Sequence, residues 1–134
     1  MPVFSSADEV YRVFDALFSQ LQAQNGNATR AVSKSKVVIR LNCTQPDCAI
    51  TLNGRKNPPV ATFGATKLRA DVQVGMTADV LHQIFLGEQS LKKAVAAKKV
   101  TVRGPVWKTL ALGEIFSQGR ALYPAVLEKL EIGK

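Results

Sequence analysis

Hydrophobic periodicity changes twice along this chain, and those changes limit the folds open to it. Val10, Val13, Phe14, Leu17, Phe18 and Leu21 recur at helical spacing, which predicts an amphipathic helix from Ala7 to about Gln24 with one buried stripe. Ser6-Ala7-Asp8-Glu9 supplies a capping box at its start, and Asn25-Gly26-Asn27 ends it. After a polar linker the period falls to two. Lys36 to Cys43 and Cys48 to Leu52 read as a β-hairpin, Val60 to Gly64 as a third strand and Leu68 to Val74 as a fourth, with turn chemistry at Asn53-Gly54 and Asn57-Pro58-Pro59. At Thr77 the period returns to 3.6. Thr77 caps a helix carrying Val80, Leu81, Ile84 and Phe85, and Gly87 stops it. Ser90 caps a short helix through Ala97, and Val100 to Arg103 alternates as a fifth strand before Gly104-Pro105. The remaining apolar residues, from Trp107 to Leu130, read as a helical end that Gly119 and Pro124 divide into two pieces. This order of elements is α+β rather than alternating α/β.

A length of 134 residues with 46% hydrophobic content suits one domain, 1–134, with a core of its own. No apolar stretch approaches the ~20 residues that cross a bilayer, and Met1 to Ser6 lacks a basic and apolar leader. The expectation is a cytoplasmic protein. Eighteen Lys and Arg against ten Asp and Glu give a net charge of +8, a field that concentrates polyanions such as nucleic acid or anionic headgroups. The basic pairs Lys34/Lys36, Arg55/Lys56, Lys92/Lys93 and Lys98/Lys99 are dispersed and not interleaved with aromatics, so nucleic acid is not the expected partner.

Catalytic chemistry finds little support. Cys43 and Cys48 have four intervening residues, neither a redox CxxC nor part of a larger ligand set, and read as thiols at a hairpin end. His82 lies beside the apolar stripe of its helix without a nucleophile pattern, which suits an exposed or hydrogen-bonded histidine. Carboxylates are scattered, and the glycines sit singly at turns rather than in a phosphate-binding loop. No catalytic residue, metal site or cofactor is expected, and the chain is not read as an enzyme.

What stands out is an apolar surplus. Phe85, Leu86, Leu91, Val95, Val106, Trp107, Leu110, Leu112, Ile115 and Phe116 are many large residues for two short helices and one strand. A packed core and a cavity explain them equally well.

From Leu68 to Phe116 the pattern resembles the sterol carrier protein family, the type-two lipid-transfer domain. The resemblance rests on the alternating run Leu68 to Val74, the capped helix Thr77 to Gly87, Lys93-Ala94 in the next helix, and Lys99-Val100-Thr101-Val102-Arg103-Gly104. Lys98 stands where the family often has glycine, Pro105 follows the last strand, and Ile132-Gly133-Lys134 is no peroxisomal address. The resemblance implies a five-stranded, mostly antiparallel sheet with helices packed on one face, enclosing an apolar cavity for a fatty acyl chain, phospholipid or sterol. By it, Leu81, Phe85, Leu91, Val95, Val102, Leu110, Ile115 and Phe116 would line the cavity, with Trp107 and Tyr123 near its mouth. Gly119 and Pro124 would form the hinge of a movable lid, and the basic surface would make transient contact with anionic membranes, placing the protein peripherally there. The competing expectation is a protein-interaction domain on the same scaffold, with a filled core docking a protein partner or a second copy as a homodimer.

Overall fold

The computed structural model describes residues 4–24, 30, 32–34, 36–56, 59–64, 66–105 and 110–130. Helix α1 (Ala7–Gln24) forms where its periodicity predicts. The Ser6 hydroxyl accepts from the Glu9 N–H at 3.3 Å, and the Ser5 hydroxyl donates to the Glu9 carboxylate at 2.5 Å, so the capping box is shared between two serines. All six stripe residues, Val10 to Leu21, are buried.

Strands β1 (Val38–Thr44), β2 (Cys48–Asn53), β3 (Val60–Phe63), β4 (Val72–Thr77) and β5 (Thr101–Arg103) make one sheet in the order β3-β2-β1-β4-β5. Three of its pairings are antiparallel, and β1 lies parallel to β4 with Ile39 opposite Val72 and Leu41 opposite Val74. Alternation divides the faces. Ile39, Leu41, Cys43, Cys48, Ile50, Leu52, Val72, Val74 and Met76 belong to the core under the helices, while Arg40, Asn42, Gln73 and Gly75 occupy the other face.

The parallel β1–β4 pairing explains where the fourth strand departs from expectation. Strand β3 sits beyond β2, so the chain after it must cross β2 and β1 before β4 can begin. Residues 68–71 belong to this crossing rather than to a strand, and β4 starts at Val72 instead of Leu68. The crossing is held from below: the Arg40 guanidinium donates to the Leu68 carbonyl and, at 3.1 Å, to the Thr51 hydroxyl. Asp71 accepts from the Val38 N–H at 2.9 Å and pairs with Arg55 at 3.2 Å.

Helix α2 (Ala78–Leu86) starts with the Thr77 hydroxyl accepting from the Val80 N–H and stops at Gly87, whose φ of 82° is the left-handed cap that glycine adopts without steric cost. Helix α3 (Leu91–Ala96) is capped by Ser90. It closes through Lys98 N–H to the Val95 carbonyl and Lys99 N–H to the Ala94 carbonyl, the two bonds of a Schellman turn. Lys98 occupies the left-handed position of that turn at φ 63°.

Helix α4 (Leu110–Leu130) corrects the expected division at Gly119 and Pro124, because both lie inside one continuous helix. Tyr123, Val126 and Leu127 anchor it inward around the proline, whose own ring is exposed. Gly119 is a packing notch: a Cβ there would come within 2.5 Å of the Phe85 ring. Packing against α1 and α2 thus outweighs the breaker residues. The assumed polar linker also hides structure, since residues 30 and 32–34 are helical and Val32 is buried.

Candidate functional site

The interior between sheet and helices is built around aromatic rings. Phe85 meets Phe116 at 4.7 Å, Phe14 at 5.4 Å and Tyr123 at 5.4 Å between centroids, and Phe14 faces Tyr123 at 5.8 Å. These residues come from α1, α2 and α4, so the cluster ties three helices together. Leu81, Phe85, Ile115, Phe116 and Tyr123, expected to surround a ligand, are all buried here.

Other expectations fall differently. Leu91 is half-buried, whereas Val95 is 40% exposed and Val102 36% exposed. On the short helix α3 Ala94 is the residue turned fully inward, which leaves Val95 at the side. Val102 shares the face of its partner Val74, but β5 is an edge strand and its flank stays open to solvent. Tyr123, expected near a mouth, is fully buried, its ring packed on Phe14 and Phe85 and its hydroxyl hydrogen-bonded to His82. Trp107 lies outside the described residues, and Leu110 begins α4 with its side chain outside them.

An apolar groove opens at the C-terminal end of α1. Phe18, Leu21, Val32, Leu52, Pro59 and Ile115 line it with one polar side chain, Gln22, whose amide donates to the Pro59 carbonyl across the rim. Its cavity volume is about 30 Å³, room for no more than about two or three water molecules. Ile115 alone among its lining was a site residue from sequence. Phe18 and Leu21 were legible as the last turns of the α1 stripe, but which end of the sheet they reach depends on tertiary packing. A second depression, of about 180 Å³, lies between α2, α3 and α4 against Ile84, Leu91, Phe116 and Arg120. Consecutive residues Ile115 and Phe116 therefore reach two different recesses from one helix turn, the first apolar and the second of mixed lining with Gln89, Ser90, Ser117 and Arg120.

The titratable groups inside are hydrogen-bonded in pairs. His82 Nδ1 and the Tyr123 hydroxyl are 2.7 Å apart, and Phe4 packs edge-on against the imidazole. Burial pushes the His82 pKa down, while Glu88 and Asp79 pull against that shift. Burial raises the Tyr123 phenol. Cys43 and Cys48 face each other across the β1–β2 register as free thiols. Their mutual hydrogen bond, helped by burial, raises Cys43, and the same bond lowers Cys48 against its own burial. Among the described residues no group of three or more His, Cys, Asp or Glu could hold a metal ion, and no helix is long and apolar enough to cross a membrane.

Helices over one face of a mixed five-stranded sheet, closed on a shared hydrophobic core, define an α+β fold. Residues 18–117 match the SCP-2 sterol transfer family, and the chain belongs to it. Lipid binding or transfer is the general activity that membership carries. Sterol Carrier Protein 2 from Yarrowia lipolytica in its apo form superposes with a TM-score of 0.63 at 22% identity, covering 81% of this chain and 89% of that one. The sterol carrier protein domain 2 of Helicoverpa armigera gives 0.65 at 14% identity, covering 82% and 89%. The sec-alkylsulfatase Pisa1 from Pseudomonas sp. gives 0.53 at 25% identity over 66% of this chain and 14% of that one. A curated relative, the DNA mismatch repair protein MutL of Bradyrhizobium sp. strain BTAi1, is 30% identical over 130 residues, so the chain spans a fifth of that protein's length.

Proposed function

We propose that this protein binds a lipid through a flexible acyl chain, without catalysis, and that the chain threads into the groove between the end of α1, β2 and Ile115 of α4. The observation that supports this reading is the groove's composition: six apolar residues and a single hydrogen-bonding side chain, Gln22, at the rim. Hydrocarbon-binding pockets combine an apolar wall with a few polar groups that orient the ligand. With only about 30 Å³ free, the site must widen, and a flexible chain can displace side chains stepwise where a rigid ring system needs its whole volume at once. Helix α4 packs chiefly on α1 and α2, so it is the element whose outward motion would join the groove to the aromatic interior and to the recess at Phe116.

The energetics suit exchange. Each methylene withdrawn from water contributes ~0.8 kcal/mol, but a chain passing from a bilayer to a protein interior trades one hydrocarbon environment for another. Uptake is then nearly balanced and reversible. Breaking the Gln22–Pro59 hydrogen bond frees an amide donor for the ligand's head.

The test is titration with a fluorescent fatty acid. Saturable one-to-one binding is expected, weakened at least tenfold by Ile115→Asp and unchanged by Val95→Ser, with near-UV circular dichroism confirming that both variants fold. Equal binding by folded Ile115→Asp would remove the site. No binding by the parent protein, together with a mass that grows with concentration, would replace this reading by a protein-interaction domain.

A further inference from the structure

The face of the sheet turned away from the helices carries a polar recess that the acyl-chain groove does not use. Register sets two rows of side chains across β1, β4 and β5 there: Arg40, Gln73 and Arg103 form one, and Asn42, Gly75 and Thr101 the next. Gly75 is the notch between the walls. Its backbone is ordinary strand without positive φ, so no left-handed conformation calls for glycine. A Cβ at this position would stand 2.8 Å from the Thr101 hydroxyl oxygen. Glycine weakens a strand interior and often marks a close approach of something to the sheet. Here the missing side chain opens a recess of about 230 Å³ lined by Asn42, Gln73, Gly75, Thr101 and Arg103, with no apolar side chain among them.

The polar groups are oriented by what they already bind. Asn42 Nδ2 donates to Gln73 Oε1 at 3.2 Å, which engages the Gln73 oxygen on the β1 side and leaves the Gln73 amide hydrogens for the β5 side, where Arg103 stands. At the other end of its row Arg40 is occupied by the Thr51 hydroxyl and the Leu68 carbonyl. Asp71, the nearest acid along the chain of β4, is held by the Val38 N–H and Arg55. Arg103 is exposed and has no ion pair among the described residues, so the recess holds a cationic fork without a counter-ion.

We propose that this recess binds a small organic oxyanion, a carboxylate or a phosphate ester, on the Arg103 guanidinium. The planar fork matches two oxygens of either group, and the Gln73 amide and Thr101 hydroxyl supply further donors. Asn42 Oδ1 remains to accept from a hydroxyl on the ligand. A volume of about 230 Å³ is smaller than the pockets that hold drug-sized molecules, and an all-polar lining gives hydrocarbon nothing to bury against. The site lies across the sheet from the acyl-chain groove and does not rest on the lipid-binding reading.

The experiment is amide chemical-shift titration of the full chain with succinate and, separately, with glycerol 3-phosphate, each against sodium chloride of equal ionic strength. At least one of the two should give saturable one-to-one shifts centred on Gly75, Thr101 and Arg103, with a Kd on the order of 1 mM, and the tighter one identifies the oxyanion. Arg103→Gln should weaken that binding by about tenfold or more, and Thr101→Val by about threefold. Gly75→Val fills the notch and should abolish it in a protein whose other amide shifts are unchanged. Lys92→Gln, which removes an equal charge from α3, should leave it intact. Fatty-acid binding should be the same in Arg103→Gln as in the parent. The proposal is overturned if neither anion saturates, if sodium chloride produces the same shifts, or if Arg103→Gln and Lys92→Gln weaken binding alike, which would make the effect one of net charge.

Discussion

His82 on α2 and Tyr123 on α4 are hydrogen-bonded at 2.7 Å inside the core, where Tyr123 is fully buried and His82 nearly so. The bond joins two helices across 41 residues of sequence and gives each polar atom the partner that burial demands. Tyr123→Phe removes the partner but keeps the ring. The expected cost is between about 1 and 3 kcal/mol, measured by urea unfolding, because the imidazole Nδ1 is left buried and unpaired.

The same histidine sets a pH dependence. Burial lowers its folded pKa below the ordinary value near 6.5, so between the two values the unfolded chain binds more protons than the folded one. Stability is therefore complete above about pH 6.5 and falls as the pH drops toward the folded value, in a window mostly above ordinary carboxylate titration. Melting temperature recorded from pH 8 to pH 5 should show this decline in the parent protein and lose most of it in His82→Gln. A flat parent profile would contradict the assignment.

Two glycines of α4 predict opposite outcomes for the same substitution. At Gly119 an added Cβ lies 2.5 Å from the Phe85 ring, so Gly119→Ala should destabilise by about 1 to 3 kcal/mol despite alanine's better helix propensity. At Gly113 nothing lies within 4 Å, and Gly113→Ala should stabilise by up to about 1 kcal/mol. Thermal melts of the two variants beside the parent decide both.

Cys48 should be the more reactive thiol. Its pKa is lowered by the Cys43 hydrogen bond, whereas that of Cys43 is raised by the same bond and by burial. Brief treatment with iodoacetamide at pH 7, followed by peptide mass spectrometry, should label Cys48 before Cys43. Cys43→Ala should slow labelling of Cys48, since the stabilising donor is gone; faster labelling would show that access rather than acidity governs the site.

Much of the fold was legible in local pattern. The α1 stripe, the hairpin ending at Cys43 and Cys48, and the caps at Thr77, Gly87 and Ser90 all stand where periodicity and capping chemistry put them. Less of the candidate site was legible. Ile115 reaches the groove, but its neighbours Phe18, Leu21, Leu52 and Pro59 come from distant elements whose juxtaposition no local pattern encodes. His82 could be read only as exposed or satisfied, because its partner Tyr123 lies on another helix.

The sequence by itself determined the long amphipathic helix, the alternating hairpin and the capped helices after Thr77 and Ser90, since these depend on neighbours a few positions apart. Tertiary structure alone decided that β4 begins at Val72, that α4 runs unbroken through Gly119 and Pro124, and that Val95 and Val102 stand at the surface. Each of those outcomes turns on what packs against an element from elsewhere in the chain: a crossing over the sheet, the Phe85 ring against a helix notch, or an edge strand with an open flank. Contacts between distant segments outweigh local propensity because burying apolar surface contributes more than any single residue's conformational preference.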